Sequence, residues 1–290
     1  MKRKTITSWE EYKKGFLTGT QNNVYDNYPE TDQEDDIKYD IVYIVALSDE
    51  MDHLLNVFNI DDINYKEHSG LQYIGFSYKV NGKELNIAIL KPCGMGLVPA
   101  SMAITQAIIL MKPRLIMMTG VCATPKDKAN FGDILLFDSV YLHDEGKITE
   151  AGLQPDIRTI NVSKKVSDTF DKVIGLTGQI NLISKKWPEK MTRREPLEVK
   201  RGVAASGMAV IANEKSISEK INHQRKLLAI DMESYAIAYC ATSMYNECDW
   251  AVIKSVQDNG DSDKKDTYRH YACYTSARCS ILFLEQYFSK

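Results

Sequence analysis

The sequence predicts an α/β fold whose mixed central β-sheet is flanked by helices. Residues 40–46 form a near-continuous apolar run, which is typical of a buried parallel strand. Residues 71–80 and 83–90 alternate between polar and apolar side chains around Asn81-Gly82, the strongest short signal for a β-hairpin. From Tyr39 onward, strand-like runs alternate with helix-like runs. A hairpin within parallel α/β order predicts a sheet with both strand directions.

The other predicted elements are short apolar runs, expected to be strands, and segments whose apolar residues recur with helical spacing. Glu233 is expected at a strand-to-helix junction, and Asp258 just past the end of a buried strand. The remaining predictions, in chain order, are helices at 49–58 and 97–111, strands at 114–119 and 133–141, a helix at 163–174, strands at 199–206 and 250–256, and a last helix from about 265 to 288.

The N-terminal region differs in composition from the rest of the chain. Residues 7–15 have the pattern of a short capped helix, whereas residues 22–36 are polar, acidic and poor in aliphatic side chains. Such a composition is typical of a linker or a surface arm. We therefore predict an arm over residues 1–37 and one folded domain over residues 38–290.

Composition excludes several classes of function. The formal net charge of -3 gives no reason to expect a nucleic-acid partner, so small-molecule partners are predicted. Apolar runs fall short of the roughly 20 residues that cross a bilayer, and no signal-peptide core follows the N-terminus, which indicates a cytoplasmic protein without a membrane partner. The six cysteines include no C-x-x-C pair and the five histidines show no ligand spacing, so no metal site is predicted.

Two acidic residues lie at predicted strand ends, where open α/β sheets gather ligand-binding side chains. These are Glu233 and Asp258. Two carboxyl groups at such an edge suggest a pocket that handles a sugar. The alternative is that each acid is a helix cap or a solvated loop charge.

Seven short blocks, taken in order, resemble the nucleoside phosphorylase and nucleosidase superfamily. Each block alone is weak, but their order is specific. The resemblance implies one three-layer catalytic domain over residues 38–290. The blocks are residues 45–50 (VALSDE), 92–96 (PCGMG), 118–120 (MTG), 131–135 (FGDIL), 206–211 (SGMAVI), 231–233 (DME) and 255–258 (SVQD).

Within the superfamily, the chain is similar to methylthioadenosine and S-adenosylhomocysteine nucleosidases. Residues 254–277 resemble more closely a bacterial branch of effector domains that has been linked to adenine-nucleotide cleavage in phage defence. The resemblance implies that the protein hydrolyses the N-glycosidic bond of an adenine nucleotide or nucleoside, ATP among them. A methylthioadenosine/S-adenosylhomocysteine nucleosidase and a purine nucleoside phosphorylase are the alternatives, and a catalytically quiet module that binds an adenine ligand is another. A homo-oligomer, dimeric or larger, is expected.

The resemblance also implies roles for individual residues. Cleavage leaves positive charge on the sugar and negative charge on the base, so an acid, a sugar ligand and a base are needed. Asp258 matches the family aspartate that protonates the purine at N7, and Glu50 matches the glutamate that activates water. Glu233 matches the glutamate that accepts hydrogen bonds from the ribose hydroxyls, with Met232 packed on the sugar face.

Further substrate contacts are implied by the positions of other blocks. The glycine turn at residues 92–96 offers backbone amides for water, sugar or phosphate, although its glycines are equally explained as ordinary turn residues. Val210 occupies the place that usually holds a base-stacking Phe. The implied contacts are Cys93, Gly94, Gly120, Val210 and Ile211.

Hydrolysis is predicted in preference to phosphorolysis. Phosphorylases commonly place an Arg and a Ser beside the strand-end glycine, where they hold phosphate, and Met118 and Val121 occupy those places here.

A cluster of cations precedes or opens the predicted last helix. Cations oppose the helix macrodipole at this end, so Lys264, Lys265 and Arg269 are predicted ligands of a 5′-phosphate. The alternative is a solvated charge run that nearby aspartates neutralise. No cofactor is expected, except that Mg²⁺ could accompany the phosphates of a nucleotide substrate.

Overall fold

The computed structural model describes most of the predicted domain. It covers residues 38–150, 152–188, 196–211, 223–244, 248–261 and 266–289, together with residues 213, 216, 217 and 220. The predicted arm at 1–37, with its helix at 7–15, lies outside the described residues, as do Lys264 and Lys265. In the part that is described, no helix is both long and apolar enough to cross a membrane.

The elements alternate along the chain much as the sequence indicates. The strands are β1 Ile41–Ile44, β2 Tyr65–His68, β3 Leu71–Val80, β4 Lys83–Leu90, β5 Leu115–Ala123, β6 Ile134–Leu142, β7 Gly146–Thr149, β8 Gly152–Pro155, β9 Ile160–Asn161, β10 Val199–Ser206, β11 Leu227–Asp231 and β12 Asp249–Asp258. The helices are α1 Ser48–Phe58, α2 Leu97–Met111, α3 Lys164–Gly175, α4 Thr177–Lys185, α5 Ser234–Ser243 and α6 Arg269–Tyr287, the last preceded by a 3-10 turn at Asp266–Tyr268.

The central sheet is mixed. Its strand order is β11-β10-β6-β12-β5-β1-β4-β3-β2, and β9 pairs with β6. Strand β1 is parallel to both β4 and β5, whereas β3 is antiparallel to β2 and β4. Ile230 of β11 also pairs with Ala123 of β5, so β11, the first strand in this order, also contacts a central strand. The C-terminal ends of β5 and β11 are thereby brought together.

Two apolar cores lie on opposite faces of the sheet, as strand alternation requires. In β1, Ile41 and Tyr43 belong to the core beneath α1, α3, α4 and α6. Val42 and Ile44 belong to the core beneath α2 and α5. The three-layer α/β fold predicted from the sequence is therefore confirmed.

Some boundaries and elements differ from the prediction. The last helix begins at Arg269 and not near residue 265, and Asp258 is the final residue of β12 and not the residue after it. Strands β2, β7 and β8 were not predicted, because nearly all of their residues are exposed and an exposed strand carries no apolar alternation.

Candidate active site

A cavity of about 360 Å³ opens where the C-terminal ends of β1, β5, β11 and β12 meet the loops that follow them. Its lining includes four carboxylates and two cations, so its side chains are net negative when all are ionised. The lining residues are Ala46, Leu47, Glu50, Met95, Val121, Cys122, Ala123, Ala209, Val210, Ile211, Ile230, Asp231, Met232, Glu233, Lys254, Gln257, Asp258 and Arg269.

Glu50 lies in the first turn of α1 with its carboxylate held by backbone donors. Oε2 accepts the N–H groups of Ala46 at 2.7 Å and Leu47 at 3.0 Å, and Oε1 accepts the N–H of Val121 at 3.0 Å. Burial raises the pKa of Glu50, although Lys254 and the backbone donors partly oppose this effect. A carboxylate with fixed orientation and raised pKa is suited to take up a proton.

Gly120 leaves the space that the Glu50 carboxylate occupies. Its φ is +142°, and a Cβ atom on Gly120 would overlap the Glu50 side chain. Gly120 does not line the cavity, but it makes room for the carboxylate of Glu50, which does.

Lys254 forms a buried ion-pair network with two acids from β11 and the turn after it. Its Nζ lies 2.8 Å from Asp231 Oδ2 and 3.2 Å from Glu233 Oε2, and the residue is 1% exposed. Burial alone would lower the pKa of Lys254, but Asp231, Glu233 and Glu50 outweigh it and raise that pKa. The lysine therefore stays charged and pairs with both acids.

Glu233 is also fixed by the glycine turn that precedes α2. Its Oε1 accepts the N–H of Gly96 at 2.9 Å. The turn thus contributes to the site through Gly96 and Met95, whereas Cys93 and Gly94 do not line the cavity. Cys93 is exposed.

Asp258 ends β12 with its carboxyl group buried and oriented. The residue is 4% exposed. Its Oδ1 accepts the N–H of Gly260 at 2.7 Å, and Oδ2 accepts the side-chain amide of Gln257 at 3.3 Å. Both donors lie within two residues of Asp258, so the local chain fixes the orientation of the carboxyl group.

The remaining predicted contacts that the structure describes all line the cavity. Met232, Val210 and Ile211 line the cavity, although the side chain of Val210 offers little enclosure because the residue is 56% exposed. Arg269 also lines the cavity, with Nε 3.4 Å from Gln257 Oε1 and a guanidinium nitrogen 4.0 Å from Asp49 Oδ2.

Sequence reasoning assigned no role to Lys254 or Asp231. A lysine within an otherwise apolar strand is the signal that would have identified Lys254, because a buried ammonium requires acidic partners.

The cavity also contains the thiol of Cys122. Burial raises the pKa of this thiol, which suits a packed side chain and not a nucleophile. Within the described part of the chain, no three His, Cys, Asp or Glu side chains come together as a metal site.

Comparisons with known proteins agree with this architecture. The uncharacterized protein y4jS of Sinorhizobium fredii is 32% identical over 199 residues, which are 66% of this chain and 48% of that protein, so the match spans about half of its length. A 5′-methylthioadenosine/S-adenosylhomocysteine nucleosidase of Haemophilus influenzae is 25% identical over 210 residues, covering 72% of this chain and 83% of that protein.

Solved structures share the fold. A Helicobacter pylori 5′-methylthioadenosine/S-adenosylhomocysteine nucleosidase superposes with a TM-score of 0.68 at 18% identity, covering 84% of this chain and 97% of that one. Futalosine hydrolase of the same organism gives a TM-score of 0.67 at 18% identity with the same coverage. The family model described as the phosphorylase superfamily matches residues 40–284, and the chain therefore belongs to that superfamily.

Proposed function

We propose that this protein is an N-glycosidase that hydrolyses the bond between ribose C1′ and purine N9 of an adenine nucleoside or nucleotide. The observation that carries the proposal is that Glu50, Glu233 and Asp258 line one cavity whose ionisable side chains are net negative. A net negative site stabilises the positive charge that develops on the sugar as the bond breaks. Nucleosidases among the relatives support the same reaction.

In this mechanism the three carboxyl groups have separate tasks. Asp258 donates a proton to purine N7, so the electron pair of the breaking C1′–N9 bond leaves with a neutral base. Glu50 accepts a proton from the water whose oxygen bonds to C1′. Glu233 accepts hydrogen bonds from the ribose hydroxyls, and its contacts with Lys254 and the Gly96 N–H hold its carboxylate in place. The products are free adenine and the free sugar.

Electrostatics favour water over phosphate as the nucleophile. The buried cation Lys254 already pairs with Asp231 and Glu233. Met118, at the place of the phosphorylase Arg, is fully buried within β5. The position that holds the cation in phosphorylases therefore offers phosphate only an apolar side chain, beside a cavity whose ionisable side chains are net negative.

The proposal extends to a 5′-phosphorylated adenine nucleotide such as ATP. Arg269 lines the cavity and its side chain is 31% exposed, so its guanidinium is accessible to the phosphates of a bound nucleotide. The resemblance of residues 254–277 to effector domains supports a role in defence against phage.

A methylthioadenosine or S-adenosylhomocysteine nucleosidase is the second candidate. The relatives with that name support it. The apolar side chain of Met95 lines the cavity as well, and such a side chain suits an apolar 5′ group. A homo-oligomeric neighbour would extend that apolar surface.

Product analysis tests the proposal. The purified protein is incubated with ATP, AMP, adenosine and methylthioadenosine, with and without phosphate, and the products are separated by chromatography. We expect free adenine and the free sugar, unchanged by phosphate. Ribose 1-phosphate would indicate a phosphorylase, and adenine binding without turnover of any substrate would indicate a quiet binding module.

A further inference from the structure

Residues 207–211, which follow β10, carry one wall of the cavity. Ala209, Val210 and Ile211 line it directly. Main-chain hydrogen bonds fix the start of this segment, because His143 N–H donates to Ser206 O at 3.0 Å and Gly207 N–H donates to Asp231 O at 3.2 Å.

The His143 side chain packs against Gly207. A Cβ atom on Gly207 would overlap the imidazole ring, so the glycine permits a contact that any other residue would prevent. His143 is 7% exposed, and neither ring nitrogen has a hydrogen-bond partner among the described residues. Burial lowers the pKa of His143 and the charge of Lys220 lowers it further, with Asp144 opposing both. The ring is therefore a neutral, flat surface beneath the segment.

Asp144 holds the next residue of the segment. Its Oδ2 accepts the N–H of Met208 at 3.0 Å, while the Met208 side chain is 64% exposed and points away from the core. Two consecutive residues directly after β6 thus contact two consecutive residues at the start of the segment. No functional role follows from the family blocks for either His143 or Asp144.

We propose that His143 and Asp144 are positioning residues that hold residues 207–211 against the adenine ring of the substrate. The inference rests on the proposed function, because it assigns the Ala209–Ile211 wall to the purine. Displacing the segment should weaken adenine binding and raise KM, but leave kcat nearly unchanged, since Asp258 and Glu50 are held by other loops.

A double-mutant cycle tests the His143 contact. Gly207→Ala is expected to raise KM and the Kd for adenine on the order of tenfold, because overpacking displaces the segment. His143→Ala removes the ring, so Gly207→Ala in that background should have little further effect. Gly178→Ala, which meets nothing within 4 Å, is the matched control. A Gly207→Ala defect that persists in the His143→Ala background would overturn the inference, as would a fall in kcat at constant KM.

The Asp144 contact provides a second test that needs no added atom. Asp144→Asn retains an acceptor for Met208 N–H and should bind adenine nearly as wild type does, whereas Asp144→Ala should bind it several-fold more weakly. Equal binding by both variants would contradict the proposal. This pair also carries the test if Gly207→Ala fails to fold in a thermal melt.

Calorimetric adenine binding separates the positioning role of His143 and Asp144 from the proposed function. Wild type that releases and binds adenine while every variant matches it would defeat the positioning role alone. Wild type that neither releases nor binds adenine would defeat the proposed function, and this inference with it.

Discussion

Asp258 is the residue whose chemistry is most sharply testable. Asn at this position keeps the shape and the acceptor for Gly260 N–H but cannot donate a proton to the base. Positioned acid catalysis contributes about 10² to 10⁴ in rate, so Asp258→Asn should lose turnover by that factor with an unchanged thermal melt. Asp261→Asn is the matched control, because Asp261 pairs with Lys126 and does not line the cavity. Near-normal turnover in Asp258→Asn would show that another group is the acid.

Gly120 tests whether the placement of Glu50 matters. An added methyl group at Gly120 overlaps the Glu50 carboxylate, and the φ of +142° adds backbone strain. Misplacing a catalytic group by about 1 Å can cost on the order of 10²-fold, so Gly120→Ala should reduce kcat by about that factor. Gly152→Ala separates the two effects, since Gly152 has a φ of +108° and nothing within 4 Å of its added Cβ. Equal activity of the two variants would contradict the role of Glu50.

The pH profile tests the protonation state of Glu50. A general base acts only when ionised, and burial raises the pKa of Glu50, so activity should fall on the acid side at a higher pH than an ordinary glutamate with a pKa of about 4.3 requires. Lys254→Gln removes a cation that opposes this rise, so the acid limb of kcat should move to still higher pH. Lys164→Gln, a change on the exposed surface of α3, should leave it in place. An acid limb that does not move in Lys254→Gln would contradict the assignment.

Between elements, Lys254 joins β12 to β11 and to the residue that precedes α5. Its loss leaves Asp231 and Glu233 buried without their cation. Breaking a buried pair costs about 3 to 5 kcal/mol, so Lys254→Met should lower the free energy of unfolding by that amount in a urea titration. Lys164→Met, which removes an exposed pair with Asp168, should change it little. A small change in Lys254→Met would indicate that the cavity is hydrated enough to solvate both acids.

Elements with local signals were predicted at their true boundaries. The β3–β4 hairpin was confirmed at both ends, because Asn81 and Gly82 adopt positive φ values of 50° and 80° and set the register by themselves. The start of α6 was wrong, since the spacing of apolar residues does not fix where the preceding polar loop ends. No capping side chain marks the start of α6, since Tyr268 at the N-cap makes no such bond.

At the scale of the whole molecule, the cavity depends on contacts that no local pattern encodes. Glu50 and Asp258 lie 208 positions apart by their numbering, yet both line it. The superfamily blocks indicated which acids to consider, and the three blocks that contain these acids lie at or directly after the C-terminal ends of β1, β11 and β12. The ion-pair network of Lys254 and the contact of His143 with Gly207 were not predicted, because each joins residues of different elements that no local sequence pattern relates. Roles for the acids stay predictions until the variants above are measured.

The two candidate classes of substrate differ in their 5′ substituent, which is phosphate in one and an apolar group in the other. If Arg269, Lys264 and Lys265 face the phosphates, ATP should have a higher kcat/KM than methylthioadenosine, because each charge-assisted contact contributes roughly 1.5 to 3 kcal/mol. Replacing all three by Gln should then lower kcat/KM for ATP by several orders of magnitude and for methylthioadenosine hardly at all. Arg114→Gln, which removes an exposed cation paired with Asp40, is the control for net charge.

The same comparison of ATP with methylthioadenosine also tests the alternative substrate with an apolar 5′ group. The four carboxylates of the cavity repel a triphosphate unless cations at its rim offset them, so the triple variant should convert any preference for ATP into a preference for an uncharged nucleoside. Wild type that already prefers methylthioadenosine, with no response to the triple substitution, would end the nucleotide hypothesis. In that case Met95 would be the residue to vary next, since its substitution by a polar residue should raise KM for methylthioadenosine and leave adenosine unaffected.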